Sequence, residues 1–474
     1  MTLPSTDGRL AEPNRFERHP AITGALIAAM ILCLLDVLAG SVTHAREKRL
    51  LVRGLEIEHS YRLRHPVYHH DLRPNATVDS ALWGSRFYRV RTNSLGFKDA
   101  STRVVSMEGR GPRVLLVGDS FTEGIGVEFD STFAGHLASD AVRHGIEVVN
   151  AGVASYSPII YWKKTEALIE QRGLHVDEVV VLVDISDIQD EANYYLDDSG
   201  HVQSRVPVGF IAPDVSTRAD SAAPSFEFRV REFASTHSFA LYRALSVAKN
   251  LLLRATRLGP APLTATCAPP VTAQELACRR GWTSNPAIRK VYGTGGIAHA
   301  REHMSRLAAL LRAQRIPLTV VVYPYPSQLE WDYRHSLQSS IWRSWSAAEG
   351  ARFVDLFPVF FAAVDSSSVR TVNRRYFIDN DVHWNERGGA FAEQQFLAAY
   401  CASEPHDVLA ALCPPHGGAV PAKSVRHSRQ ERSSFPASVR HFRHRRSSFP
   451  RTRESIFTGP WIPAFAGMTR CSRE

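Results

Sequence analysis

Nowhere in these 474 residues is there a Gly-x-Ser-x-Gly elbow, a Walker phosphate loop or a dinucleotide-binding glycine fingerprint, so nucleotide binding and the elbow-type hydrolases have no motif to rest on. The body of the chain also lacks an excess of charge. The formal net charge of +9 falls wholly in the tail, where 12 Lys and Arg face 3 Asp and Glu from His416 onward, leaving 44 of each sign in the first 415 residues. A balanced body carries no electrostatic footprint for nucleic acid. Composition is skewed towards neither disorder nor many membrane spans, with 44% hydrophobic and 22% charged residues. The length is ample for a large buried core.

Long apolar runs are scarce. One exists, Ala21 to Val42, interrupted only by Thr23, Gly24, Asp36, Gly40 and Ser41, and it has the roughly 20 residues needed to cross a bilayer. Thr43-His44-Ala45 is a poor cleavage site, so an uncleaved anchor is preferred to a signal peptide. Asp36 lies towards one end of the run, where its carboxylate can reach the interface. Basic residues flank both ends (Arg9, Arg15 and Arg18; Arg46, Lys48, Arg49 and Arg53) and do not orient the span. Cysteines give the orientation. Cys267 with Cys278 and Cys401 with Cys413 are close pairs suited to local disulfides in an oxidising compartment. The expectation is a bacterial inner-membrane protein crossing once, with its body in the periplasm.

From Arg113 the chain alternates short apolar runs (Val114 to Val117, Ile146 to Val149, Val179 to Val183, Leu318 to Tyr323, Phe353 to Leu356) with stretches of helical spacing (Ser131 to His144, Ile159 to Gln171, Ala298 to Gln314). Buried parallel strands and covering helices have this alternation, and it predicts a three-layer α/β/α fold. Seven segments follow: 1–19, a short N-terminal piece; 20–44, the anchor; 45–112, a lead-in; 113–206 and 298–402, the two parts of the α/β domain; 207–297, an insertion with a possible helix at Phe239 to Leu253; and 403–474, an extension disordered from about 416. The tail repeats Arg-Ser-Ser-Phe-Pro at 432–436 and 446–450 and is too sparse in apolar residues to fold. In the lead-in, His69-His70-Asp71 has metal-ligand residue types but no helical pairing, and is read as a solvated loop.

Two motifs carry chemistry. Gly118-Asp119-Ser120-Phe121 follows the first apolar strand directly, which exposes a serine at the carboxyl edge of a sheet, close to backbone N–H groups. Asp381-Val382-His383-Trp384-Asn385 precedes the last helical stretch and supplies the imidazole that a serine nucleophile needs, with a carboxylate to orient it. Together they resemble the SGNH (GDSL) hydrolases over Arg113 to about Tyr400. The Asp-x-His-Trp block is closest to polysaccharide O-acetyltransferase-like members, and Arg91 to Phe97 resembles a segment preceding Gly-Asp-Ser in bacterial members.

The resemblance implies a flavodoxin-like fold, with Ser120 as nucleophile, His383 as base and Asp381 as orienting acid. The family spacing would put the acid at Asn380, and Asp379 is the fallback. It also implies an oxyanion hole from Ser120, Gly152 and the position of Ser186, where the family has Asn. No cofactor or metal is implied, although Asp184, Asp187 and Asp190 have ligand types. The implied activity is hydrolysis or transfer of an acyl group, most simply acetyl, on an envelope carbohydrate. The alternative is a non-catalytic SGNH-fold protein that binds carbohydrate or serves assembly.

Overall fold

The computed structural model describes residues 15–83, 86–205, 281–286, 289–332, 334–379 and 381–414, with Ser238, Ala240 and Ala244. A 42-residue helix, Pro20–Tyr61, begins with proline in its first turn, where the missing N–H is no loss. Its first 23 residues, Pro20–Val42, have mean hydropathy 2.4 and hold an 18-residue window with no buried residue, and they reach about 35 Å at the helical rise. Among the described residues this is the one helix long and apolar enough to cross a membrane. Asp36 is not bare, because the Ser238 hydroxyl and the Ala240 N–H donate to its carboxylate.

The lead-in is not a loose tether. Arg62 caps the long helix in extended conformation and opens β1 (Arg62–His65), which pairs antiparallel with β2 (His69–Leu72), while β3 (Thr77–Trp83) pairs with β4 (Arg86–Arg91). The solvated loop expected at His69-His70-Asp71 is instead a fully buried strand. The reason lies far along the chain. His70 Nε2 donates to the Ala154 carbonyl at 2.8 Å, Tyr156 donates to the His70 carbonyl at 2.6 Å, and Asp71 pairs with Lys164 at 2.8 Å. A buried polar group is stable when its partners are supplied, and these come from the α/β domain.

Runs of Val, Leu and Ile build the centre. β5 (Arg113–Val117), β6 (Glu147–Asn150) and β7 (Glu178–Val183) are followed by a small hairpin, β8 (Tyr194–Leu196) with β9 (Val202–Ser204), and then by β10 (Leu318–Val322) and β11 (Arg352–Asp355). The five large strands form one parallel sheet in the order β6-β5-β7-β10-β11. β5, β7 and β10 are buried throughout, as central strands covered on both faces must be. Helices Phe133–Ala141 and Glu386–Cys401 pack together on one face, and Pro158–Glu166, Thr294–Ala313 and Leu337–Glu349 cover the other. This is the expected three-layer α/β/α arrangement. The first connection runs to one side of β5 and the next to the other, so the carboxyl ends of β5 and β7 flank the switch point where ligands bind in such sheets.

Strand bounds differ from the sequence expectation by about a residue, and the helix expected from Ala298 starts at Thr294. The close of the expected insertion is ordered against the sheet, with Trp282 buried and donating to the Ile185 carbonyl at 3.0 Å. Cys401 and Cys413 are disulfide-bonded. The expected helix at Phe239 to Leu253 (Ala240 and Ala244 apart), the Cys267–Cys278 pair and the tail from residue 415 lie outside the described residues.

Candidate active site

β5 delivers the serine. At Gly118 an added Cβ would stand 2.0 Å from Thr122 Oγ1 and 3.0 Å from the Leu182 carbonyl, so only glycine lets the chain turn this tightly against β7. Asp119 caps the helix Ser120–Glu123, its side chain accepting from the Phe121 N–H at 3.0 Å. Ser120 is thereby fixed at the first helical position, where backbone N–H groups have no intrahelical acceptor.

The histidine comes from the loop between Val369–Tyr376 and Glu386–Cys401. Asn385 caps the second helix, accepting from the Arg387 and Gly388 N–H groups, and its amide donates to the Phe377 carbonyl at 2.9 Å. A backbone bond from Ile378 to the His383 carbonyl closes the loop, and Trp384 anchors it between Phe121 and Tyr323. His383 is thus held from both sides.

The result is a continuous hydrogen-bond chain. His383 Nε2 is 2.7 Å from Ser120 Oγ, and His383 Nδ1 is 2.5 Å from Asp381 Oδ1, which also accepts the His383 backbone N–H at 2.9 Å. Of the acid candidates, Asp381 faces the imidazole and Asp379 is exposed, while Asn380 lies outside the described residues. Burial pushes the Asp381 carboxyl up, but the charge and hydrogen bonds of His383 and a bond from Trp83 outweigh it and hold the group below the usual carboxylate range. An ionised carboxylate on Nδ1 sets Nε2 as the proton acceptor for serine. Ser120 and His383 are each only 1% exposed. Beside them is a cavity lined by Phe121, Ile125 and Trp384 among others.

The expected oxyanion donors are arranged differently. The Gly152 N–H donates to Asn150 Oδ1 at 3.1 Å, and both the N–H and the hydroxyl of Ser186 donate to Asp184 Oδ1, at 2.6 and 2.7 Å. Neither residue presents an uncommitted donor. Short turns allow these bonds, since each acceptor sits two residues before its donor. At the first position of its helix the Ser120 N–H has no intrahelical acceptor.

A carboxylate cluster lies beside Ser120, and sequence spacing placed it only in part. Asp119, Asp184 and Asp187 bring oxygens within 4.8 Å of one another, with Asp119 standing where Asp190 was considered. Burial, then Asp184, pushes the Asp119 carboxyl well up, and burial with the same neighbours does so for Asp187. These oxygen donors are of the type a hard divalent cation takes. Asp184 and Asp187 also accept from the hydroxyls of Tyr161, Tyr325 and Ser186. Asp119 Oδ2 also lies 3.2 Å from Ser120 Oγ.

Sequence reasoning missed the groups that brace Ser120 from the lead-in. Arg62 makes a two-pronged bond to Glu123, at 2.7 and 2.9 Å, and both are buried. Burial alone would raise the Glu123 carboxyl, yet the Arg62 guanidinium holds it down. Lys98 Nζ donates to the Gly124 and Val127 carbonyls at 2.6 and 2.7 Å, and burial lowers its pKa to about 8. Lys98 closes the segment that begins at Arg91, whereas nothing in the sequence marks Arg62 or Glu123.

No protein-family model and no curated protein matches the chain. Solved structures similar to it include a protein of Desulfitobacterium hafniense assigned to the G-D-S-L lipolytic family (11% identity, 60% of this chain and 97% of that one, TM-score 0.28). An acetylxylan esterase from Geobacillus stearothermophilus shares 11% identity over 62% of this chain and 96% of that one, at TM-score 0.33. The esterase EstA from Pseudoalteromonas shares 9% over 62% and 99%, at 0.31. Superpositions this loose add nothing to the geometry, which carries the functional reading alone.

Proposed function

We propose that the chain is a serine esterase or acyltransferase of the SGNH type, anchored in the bacterial inner membrane by Pro20–Val42 with its body in the periplasm, acting on an acetyl or similarly small acyl ester of an envelope carbohydrate. The observation that carries this reading is the Ser120–His383–Asp381 hydrogen-bond chain at the carboxyl end of β5. Ser120 Oγ attacks the ester carbonyl carbon while its proton passes to His383 Nε2, and Asp381 offsets the imidazolium charge. The carbonyl oxygen becomes an oxyanion, which the Ser120 N–H stabilises, with the Gly152 N–H joining when Asn150 releases it. His383 then protonates the departing alcohol, leaving acyl-Ser120. Water attack, with its proton taken by His383, makes the protein a hydrolase; a sugar hydroxyl in its place makes it a transferase. Purified full chain in detergent should release the leaving group of an activated acetyl ester, and an oligosaccharide acceptor should divert acetyl from acetate to sugar if the protein is a transferase. No release would contradict both chemistries.

The committed donors at Gly152 and Ser186 and the covered serine favour a second reading, a non-catalytic carbohydrate-binding or assembly protein on the same fold. It is distinguished by the reactivity of Ser120.

A further inference from the structure

Trp83 ends β3, on a hairpin outside the layers of the α/β domain. Its indole N–H donates at 2.9 Å to Asp381 Oδ2, the oxygen that His383 leaves unused, and its ring stands edge-on to the imidazole with centroids 5.2 Å apart at 83°. Tryptophan has one polar hydrogen, and it is directed at the acid of the triad. The hairpin is fastened on both sides of the site. Arg86 pairs with Glu386, at the start of the helix after His383, and Arg89 pairs with Glu128 at 2.6 Å in the loop after the nucleophile. Gly126 (φ +76°) lies below, where an added Cβ would stand 2.7 Å from Ile378 Cδ1 and 3.4 Å from Trp83 Cδ1. A bare backbone there lets Trp83, itself 3% exposed, settle over the triad.

Resting on the esterase reading above, we propose that Trp83 is a positioning residue of the reaction: it holds the second oxygen of Asp381 so that the first stays aimed at His383 Nδ1, and its ring shields that pair from water. A carboxylate gripped at both oxygens cannot rotate off the imidazole. An apolar ring with a polar tip suits the place, because excluding water strengthens the attraction of Asp381 for the imidazolium.

Trp83→Phe keeps a ring and removes the N–H. With an activated acetyl ester the variant should lose about ten- to a hundredfold in kcat at little change in KM, the worth of one hydrogen bond to a charged group. The acid limb of its kcat/KM profile should also move to higher pH, since an Asp381 charge no longer shared with the indole favours the imidazolium more. A role in packing alone would lower the melting temperature and leave the limb in place. A folded variant with kcat within about twofold of wild type and an unmoved limb overturns the proposal; if Trp83→Phe does not fold, Trp83→Tyr decides on the same two readings. A wild type that neither turns over the ester nor reacts at Ser120 removes the esterase reading and this proposal with it, whereas an active wild type matched by the variant removes only the role of Trp83.

Discussion

At the scale of single residues, two chemical demands made most of the candidate site legible in the sequence. A serine at a strand end and an imidazole with a nearby carboxylate are needed as types, and Gly118-Asp119-Ser120 and Asp381-Val382-His383 supply them. Among Asp379, Asn380 and Asp381, geometry favours the last, since residues two apart in an extended loop project to the same side. In the structure Asp381 bonds both the ring and the backbone N–H of His383. Asp381→Asn should therefore lower the rate with an activated ester by about 10⁴-fold, the cost of the wrong imidazole tautomer, whereas Asp379→Asn should cost little; a greater loss from the Asp379 change would place the acid elsewhere. Trp83 could not be read this way. It lies 298 residues from its partner, and no local pattern marks a tryptophan as a hydrogen-bond donor to a distant acid. The commitments of Gly152 and Ser186 depend on which way each N–H turns, which residue type does not fix.

At the scale of elements, the parallel strands were legible because burial on both faces leaves near-continuous aliphatic runs, as in β5 and β7. The lead-in was not, because its polar residues are buried by partners from other elements. Glu178 at the start of β7 is a testable case of such long-range pairing. Its carboxylate accepts from the Tyr400 hydroxyl at 2.8 Å and the Leu409 N–H at 2.9 Å, tying the last helix and the turn after it to the sheet. These bonds favour the ionised form, but burial outweighs them and raises the pKa from 4.5 to about 7. A carboxyl raised on folding contributes stability that is complete below the unfolded value and is lost as pH rises through the folded one. The melting temperature should fall between about pH 4.5 and pH 7, by the equivalent of roughly 3 kcal/mol at most, and Glu178→Gln should flatten that slope. Equal slopes in the two proteins would show that Glu178 is ionised throughout.

At the scale of the whole molecule, the sequence separates an apolar span from a charge-balanced α/β body, and the structure joins them. The helix that begins at Pro20 continues to Tyr61, and the next residue, Arg62, grips Glu123 at the end of the helix Ser120–Glu123. Span and serine are thus linked through one helix and one buried ion pair, which hydropathy alone does not reveal. All of this serves one claim, that Ser120 is a nucleophile activated by His383. The most direct measurement is to treat the folded full-length protein with a fluorophosphonate probe and map the adduct by peptide mass spectrometry. The account predicts a single adduct on Ser120 that disappears in His383→Ala. An unlabelled Ser120 in folded protein, or labelling undiminished without His383, would contradict it.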